Sequence, residues 1–163
     1  MRSFWLALVV LAAMTRLAHA EPDSLAARAQ IQRVVEVFRT SIIAKDKSTL
    51  GNLFMPTGGS WIKVMDDAMY QQLKAKQPSV AKLKPGTYQD FVDFLGASQQ
   101  RLEEKFSNVR INTDGAVASV YFDYVFLRDD KETNRGTETW QLVNTGDGWK
   151  INAVIYSTDQ AKL

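Results

Sequence analysis

Glu138 stands in the run Thr137-Glu138-Thr139-Trp140-Gln141-Leu142, where strand spacing puts its carboxylate in line with Trp140 and Leu142. A carboxylate on an apolar face can hold a ligand's polar group. It can also do acid–base work with a pKa raised by burial. The plainer alternative is a strand-end group near an open rim, solvated or paired with Arg135, because unpaired carboxylates are seldom buried. No catalytic residue is assigned, and Glu138 is the single candidate. Trp61, Trp140, Trp149 and Tyr124 could line a pocket for a flat apolar ligand, with Phe38 and Ile42 beside them. The competing reading is ordinary core, which aromatic residues dominate in any case.

Other chemistry is excluded by residue type. The 163-residue chain has no cysteine, so disulfides, thiolate metal sites and cysteine nucleophiles are unavailable. Met1 to Ala20 has a basic start at Arg2, an apolar run from Phe4 to Met14, and Ala18-His19-Ala20 before Glu21. That is the layout of a cleaved secretory leader, with an apolar run of about 11 residues, too short to span a bilayer. Its removal takes away His19, the only histidine, and with it triads, imidazole acid–base work and histidine–zinc sites. It also takes away Arg2 and Arg16, so the formal charge of +2 falls to zero, with 18 basic and 18 acidic residues. A neutral chain lacks the basic face that phosphates need, and nucleic acid is not an expected partner. The expected compartment is periplasmic or secreted, with no membrane span.

Neither Asp66-Asp67 nor Asp129-Asp130 has the ligand spacing of a calcium loop. The first reads as a helix start and the second as a hairpin tip. No metal ligand and no cofactor is assigned. Lys74, Lys76, Lys82 and Lys84 read as a solvated basic stretch between helices.

The elements that must position these residues follow from periodicity. Residues 25–45 predict an amphipathic helix carrying Leu25, Ala29, Ile31, Val34, Val35, Phe38, Ile42 and Ile43. Asp46 or Ser48 caps a short second helix with Leu50 and Phe54, stopped by Pro56 and Gly58-Gly59. Residues 60–65 predict a strand, and Asp66-Asp67 start another helix. Residues 78–86 predict a loop. Residues 87–106 predict a long helix opened by the capping pair Thr87 and Asp90. Strands follow at 108–113, 116–127, 136–143 and 149–157, with a charged loop at 128–135. In the last hairpin Glu138, Trp140, Leu142, Trp149, Ile151, Ala153 and Ile155 share the apolar face. On the preceding strand Ala118, Val120, Phe122, Tyr124 and Phe126 do so. The opposite face, with Tyr121, Asp123, Thr139, Gln141, Asn152, Val154 and Tyr156, is mixed and suits a homodimer contact. Helices first and an antiparallel sheet last give one α+β domain over residues 21–163.

These features resemble the nuclear transport factor 2-like superfamily, with its ketosteroid-isomerase-like and SnoaL-like members. The matching residues are Lys45-Asp46 after the first helix, Leu50-x-x-Leu53-Phe54, Asp114-Gly115, Glu138-Thr139-Trp140 and Asp147-Gly148-Trp149-Lys150-Ile151. The resemblance implies a cone-shaped fold, helices packed in a strongly bent antiparallel sheet, with a pocket inside and dimerisation through the outer sheet face. On the steroid-isomerase pattern Phe38 replaces the tyrosine donor and the region of Trp61-Ile62 has no carboxylate for the base. Only Glu138 matches an acidic donor. Since fold does not settle function, the leading expectation is an exported, dimeric, non-catalytic module for a small apolar ligand. The alternatives are an isomerase-, dehydratase- or hydrolase-type enzyme using Glu138, with Tyr124 or Asp46, and a protein-interaction module. A deep pocket holding Glu138 would favour the enzyme.

Overall fold

The first helix, α1 (Pro22–Ala44), buries Ala27, Ile31, Val35, Phe38 and Ile42, steps of four, four, three and four residues that make one stripe. The structure, a computed structural model, describes residues 22–160; the leader assigned to residues 1–20 lies outside them. Leu25 falls off this stripe and is 60% exposed, and Ala29 and Ile43 are also exposed, contrary to expectation, while Ala27 is buried in their place. Lys45 adopts a left-handed φ of 54° and the Asp46 N–H reaches back to the Ser41 carbonyl at 2.9 Å, which ends the helix. Asp46 then caps α2 (Lys47–Gly51), its carboxylate accepting from the Thr49 N–H at 2.9 Å. Strand β1 (Ser60–Met65) and α3 (Asp67–Lys76), capped by Asp66, follow as expected.

Three boundaries differ from the sequence reading. Residues 83–86, expected in a loop, form edge strand β2 (Leu83–Gly86), antiparallel to β1 with Lys63 opposite Lys84. Pro85 is tolerated because the strand is at the edge. Helix α4 (Tyr88–Ala97) opens with the Thr87–Asp90 capping box but stops nine residues before Phe106. Residues Leu102–Thr113 form strand β3 instead. The stop is tertiary. Lys45 Nζ donates to the Ser98 carbonyl at 2.7 Å, and the Asp129 carboxylate accepts from the Arg101 N–H at 2.8 Å and Gln100 Nε2 at 3.0 Å. The charged loop at 128–135 is likewise shorter than expected. Strands β4 (Val117–Arg128) and β5 (Lys131–Asn144) meet at a two-residue turn, Asp129-Asp130, both left-handed at φ 49° and 65°.

With β6 (Trp149–Gln160), the described residues form a six-stranded sheet in the order β2-β1-β6-β5-β4-β3. It is mixed rather than wholly antiparallel, since β1 runs parallel to β6. The sheet is curled and unclosed, and the helices pack on its inner face, the α+β arrangement expected from the order of elements and the cone that the family resemblance implied. In β6 the register shifts between Ile151 and Ala153, leaving Asn152 as an extra residue. A bulge of this kind flips the alternation beyond it. Val154, Tyr156 and Thr158 therefore face inward, and Ala153 and Ile155 outward, the reverse of the expected faces.

The core is aromatic. Phe38 of α1 lies 4.7 Å from Trp140, Phe122 lies 5.0 Å from Trp140 at 87°, and Phe106 lies 4.3 Å from Phe122. Ala118, Val120, Phe122, Tyr124 and Phe126 all face inward along β4, as their alternation predicts.

Candidate functional site

The inner face of the sheet can be read across the strands. Phe122 of β4 lies opposite Glu138 of β5, then come Tyr156 of β6, Lys63 of β1 and Lys84 of β2. A neighbouring rung runs from Glu104 of β3 through Phe126 to Asn134. Between these rungs and the aromatic side chains of α1 and α4 is a cavity of about 480 Å³. That is the size of a small-molecule site. Phe38, Trp61, Phe91, Phe94 and Phe126 are among its walls, and Glu104 and Glu138 line it as well.

The two carboxyls define its chemistry. Glu138 is 4% exposed and accepts a hydrogen bond from Trp140 Nε1 at 2.5 Å. Burial pushes its pKa up to about 7, against the opposing effect of the Trp140 donor. Glu104, 5% exposed, has no hydrogen-bonding partner among the described residues. Its pKa is raised well above the usual range, first by burial and then by the nearby Glu138 charge. Both carboxyls are thus biased towards the protonated form, in which a carboxyl can donate as well as accept. Tyr124 lines the same cavity, and its hydroxyl donates to the Ser157 carbonyl at 2.9 Å. Burial raises the Tyr124 and Tyr156 phenols, so both stay protonated.

Of the seven residues expected at a pocket, Phe38, Trp61, Tyr124 and Glu138 line this cavity. Ile42 is fully buried core. Trp140 is fully buried behind the wall and contributes its indole N–H to Glu138. Trp149 does not line the cavity, and its indole donates to Gln30 of α1 at 3.1 Å. Glu138 is not at a solvated rim: Arg135 pairs with Glu132 instead, at 2.5 Å. Asp46 is an exposed helix cap and cannot assist Glu138. Phe38 and Trp61, the two positions apolar here but polar in the steroid-isomerase pattern, do converge on Glu138's cavity.

The sequence reading missed Glu104, Lys63, Arg128 and Tyr156. Glu104 had a signal: Leu102-x-Glu104-x-Phe106 alternates by two, and ending the helix at Ala97 would have placed it on an inner face. Tyr156 was expected on the outer face and lines the cavity because of the Asn152 bulge. The outer face keeps Tyr121, 41% exposed, with Arg110 5.6 Å from its ring, and Asp123, which accepts from Asn108 Nδ2 at 2.6 Å. Thr139 and the exposed Ile155 continue that row. Among the described residues no helix is long and apolar enough to cross a membrane, and no group of three His, Cys, Asp or Glu side chains could hold a metal.

No protein-family model and no curated protein matches the chain. Solved structures do. A nuclear transport factor 2-like protein of unknown function from Shewanella baltica superposes with a TM-score of 0.59 at 17% identity, covering 84% of this chain and 97% of that one. A candidate scytalone dehydratase from Novosphingobium aromaticivorans gives 0.63 at 14% identity, covering 85% and 87%. The beta subunit of a candidate aromatic-ring-hydroxylating dioxygenase from the same organism gives 0.62 at 11%, covering 86% and 94%. The shared property at these identities is the fold: a curled sheet around helices, of the nuclear transport factor 2-like type.

Proposed function

We propose that this chain, a nuclear transport factor 2-like fold, is an exported dimeric domain that binds a small, flat, largely apolar molecule inside its cone. The observation that carries the proposal is the pair of buried carboxyls, Glu104 and Glu138, facing an aromatic-walled cavity. Burying two such groups costs stability unless something meets them, and a ligand hydroxyl or carbonyl supplies that partner. Export rests on the leader pattern of residues 1–20. Dimerisation rests on the row Tyr121, Thr139, Ile155 and Ile62, which crosses the outer face with two large exposed apolar side chains. Native mass spectrometry of the protein purified from its own export compartment tests all three parts. The expected spectrum is a dimer beginning at Glu21 with a reproducible small-molecule adduct. A monomer would overturn the role given to the outer face, and a dimer that never carries an adduct would favour a protein-interaction module.

A second reading is an acid–base enzyme, favoured by one observation: Glu138 is a buried carboxyl with a pKa of about 7 that lines an aromatic-walled cavity. A base there gains strength from poor solvation and titrates at working pH. The probe is the ring opening of 5-nitrobenzisoxazole, in which a base removes the C3 proton as the N–O bond breaks. The expected rate exceeds the buffer reaction, rises with pH through about 7, and is lost in Glu138→Gln. A rate equal to buffer at every pH would leave the binding domain as the better account.

A further inference from the structure

We infer that the molecule taken into the cavity is an anion, an aromatic or aliphatic body bearing one carboxylate, drawn in by the unpaired cations of its lining, Lys63, Lys84 and Arg128. The inference rests on the small-molecule reading above and adds the charge of the ligand. Elsewhere on the protein basic side chains with an acidic neighbour are paired with it: Arg39 with Glu36, Lys47 with Asp93, Lys82 with Asp67, Arg135 with Glu132. The three that line the cavity have no carboxylate or carbonyl partner among the described residues. A lone lysine on an open surface is simply solvated. These three instead surround one concave space with low-dielectric walls, where their fields add.

Each has its own reason to favour an anion. Arg128 Nε is buried without a hydrogen-bonding partner, while its guanidinium lies 4.9 Å from the Phe94 ring centre. A buried N–H left unmet is a cost that a ligand oxygen removes. Lys63 and Lys84 are direct cross-strand partners, so two like charges face each other. Burial and then Lys84 lower the Lys63 pKa, the direction expected of an ammonium lacking a counter-ion. The acids nearby do not compensate. Asp90 also lines the cavity, its Oδ2 accepting from the Thr87 N–H at 3.0 Å and hydroxyl at 2.8 Å, but it makes no ion pair with any of the three, and Glu104 and Glu138 are both held towards the protonated form.

The rung geometry orients such a ligand. Lys63 and Glu138 lie two strands apart with Tyr156 between them, about 10 Å at strand spacing. A carboxylate on Lys63 and Lys84 would lay the apolar body over Tyr156 and Trp61. Its far end, a neutral hydroxyl or carbonyl, would reach Glu138.

Calorimetric titration of the folded dimer or monomer with three probes of one shape tests this: 2-naphthoate, the neutral 2-naphthamide and the cationic 2-naphthylmethylamine, all at pH 7 and low salt. Naphthoate should bind about tenfold tighter than the amide, with the amine weakest, as charge-assisted hydrogen bonds require. Lys63→Gln and Arg128→Gln should each weaken naphthoate several-fold and the amide less, so that the preference for the anion shrinks, with melting curves confirming the fold. Equal binding of amide and naphthoate, or preference for the amine, would overturn the anion inference and leave the cavity a ligand site. Binding of none of the three by the folded protein would overturn both.

Discussion

The Glu138→Gln variant should melt at a higher temperature than the wild type at pH 8, and the gap should shrink at pH 5. Glu138 is an acid whose folded pKa, about 7, lies above its ordinary 4.5. Between those values the native state keeps a proton that the unfolded chain has released. Stability therefore falls as pH rises from 4.5 through about 7, and levels off above. The gain in the variant should be larger at pH 8 than at pH 5 by on the order of 2–3 kcal/mol, which for a domain of this size is on the order of 5–10 °C in melting temperature. Glutamine keeps a carbonyl to accept from Trp140 Nε1, so the packing is retained. Removing the charge also removes one cause of the raised Glu104 pKa, which acts in the same direction. Melting curves at the two pH values decide it. A gap independent of pH, or a loss of stability at pH 8, would mean that Glu138 is ionised and satisfied in the folded protein. The stabilised variant should at the same time lose the ligand, the usual cost of keeping a strained group for function.

Phe122→Asp should yield no soluble folded protein. Phe122 is fully buried, 4.3 Å from Phe106 and 5.0 Å from Trp140, and lies directly opposite Glu138 on the adjacent strand. The substitution would place a third carboxylate beside two that already resist ionisation, with no cation within the aromatic cluster to offset it. Graded replacements keep the test informative. Phe122→Ala should cost about 3–5 kcal/mol in urea unfolding, and Phe122→Leu about 1–2 kcal/mol with the fold retained. An aspartate variant as stable as the wild type would show that the side chain at 122 does not face the core.

Local chemistry in the sequence determined a good deal of this protein. The Asp46 and Thr87 caps, the stripe from Ile31 to Ile42, the alternation along β4 and the Asp114-Gly115 turn each depend on residues a few positions apart. Neighbouring side chains and backbone groups meet there whatever the rest of the chain does. The inward alternation of Tyr124 and the alignment of Glu138 with an apolar face were legible for the same reason. Residue type alone also excluded thiol chemistry and left His19 as the one imidazole.

Contacts between distant segments decided the rest. Helix α4 ends where Lys45 and Asp129, far away in sequence, satisfy the backbone groups around Ser98 and Arg101, and this turns Glu104 into an inward strand residue. Leu83–Gly86 is a strand only because β1 offers its edge, and that pairing is what sets Lys84 beside Lys63. The extra residue at Asn152 carries no mark in the sequence, yet it exchanges the faces of Tyr156 and Ile155. Burial of Glu138 was hidden in the same way, because whether a strand position is rim or interior depends on how far its neighbours extend. The β4–β5 turn is tight, so both strands run on past Glu138 and enclose it. The sequence alone determined which faces of α1 and β4 are apolar; only the tertiary structure decided that two buried carboxyls and three cations share one cavity, because strand pairing across the sheet is set by the whole chain at once.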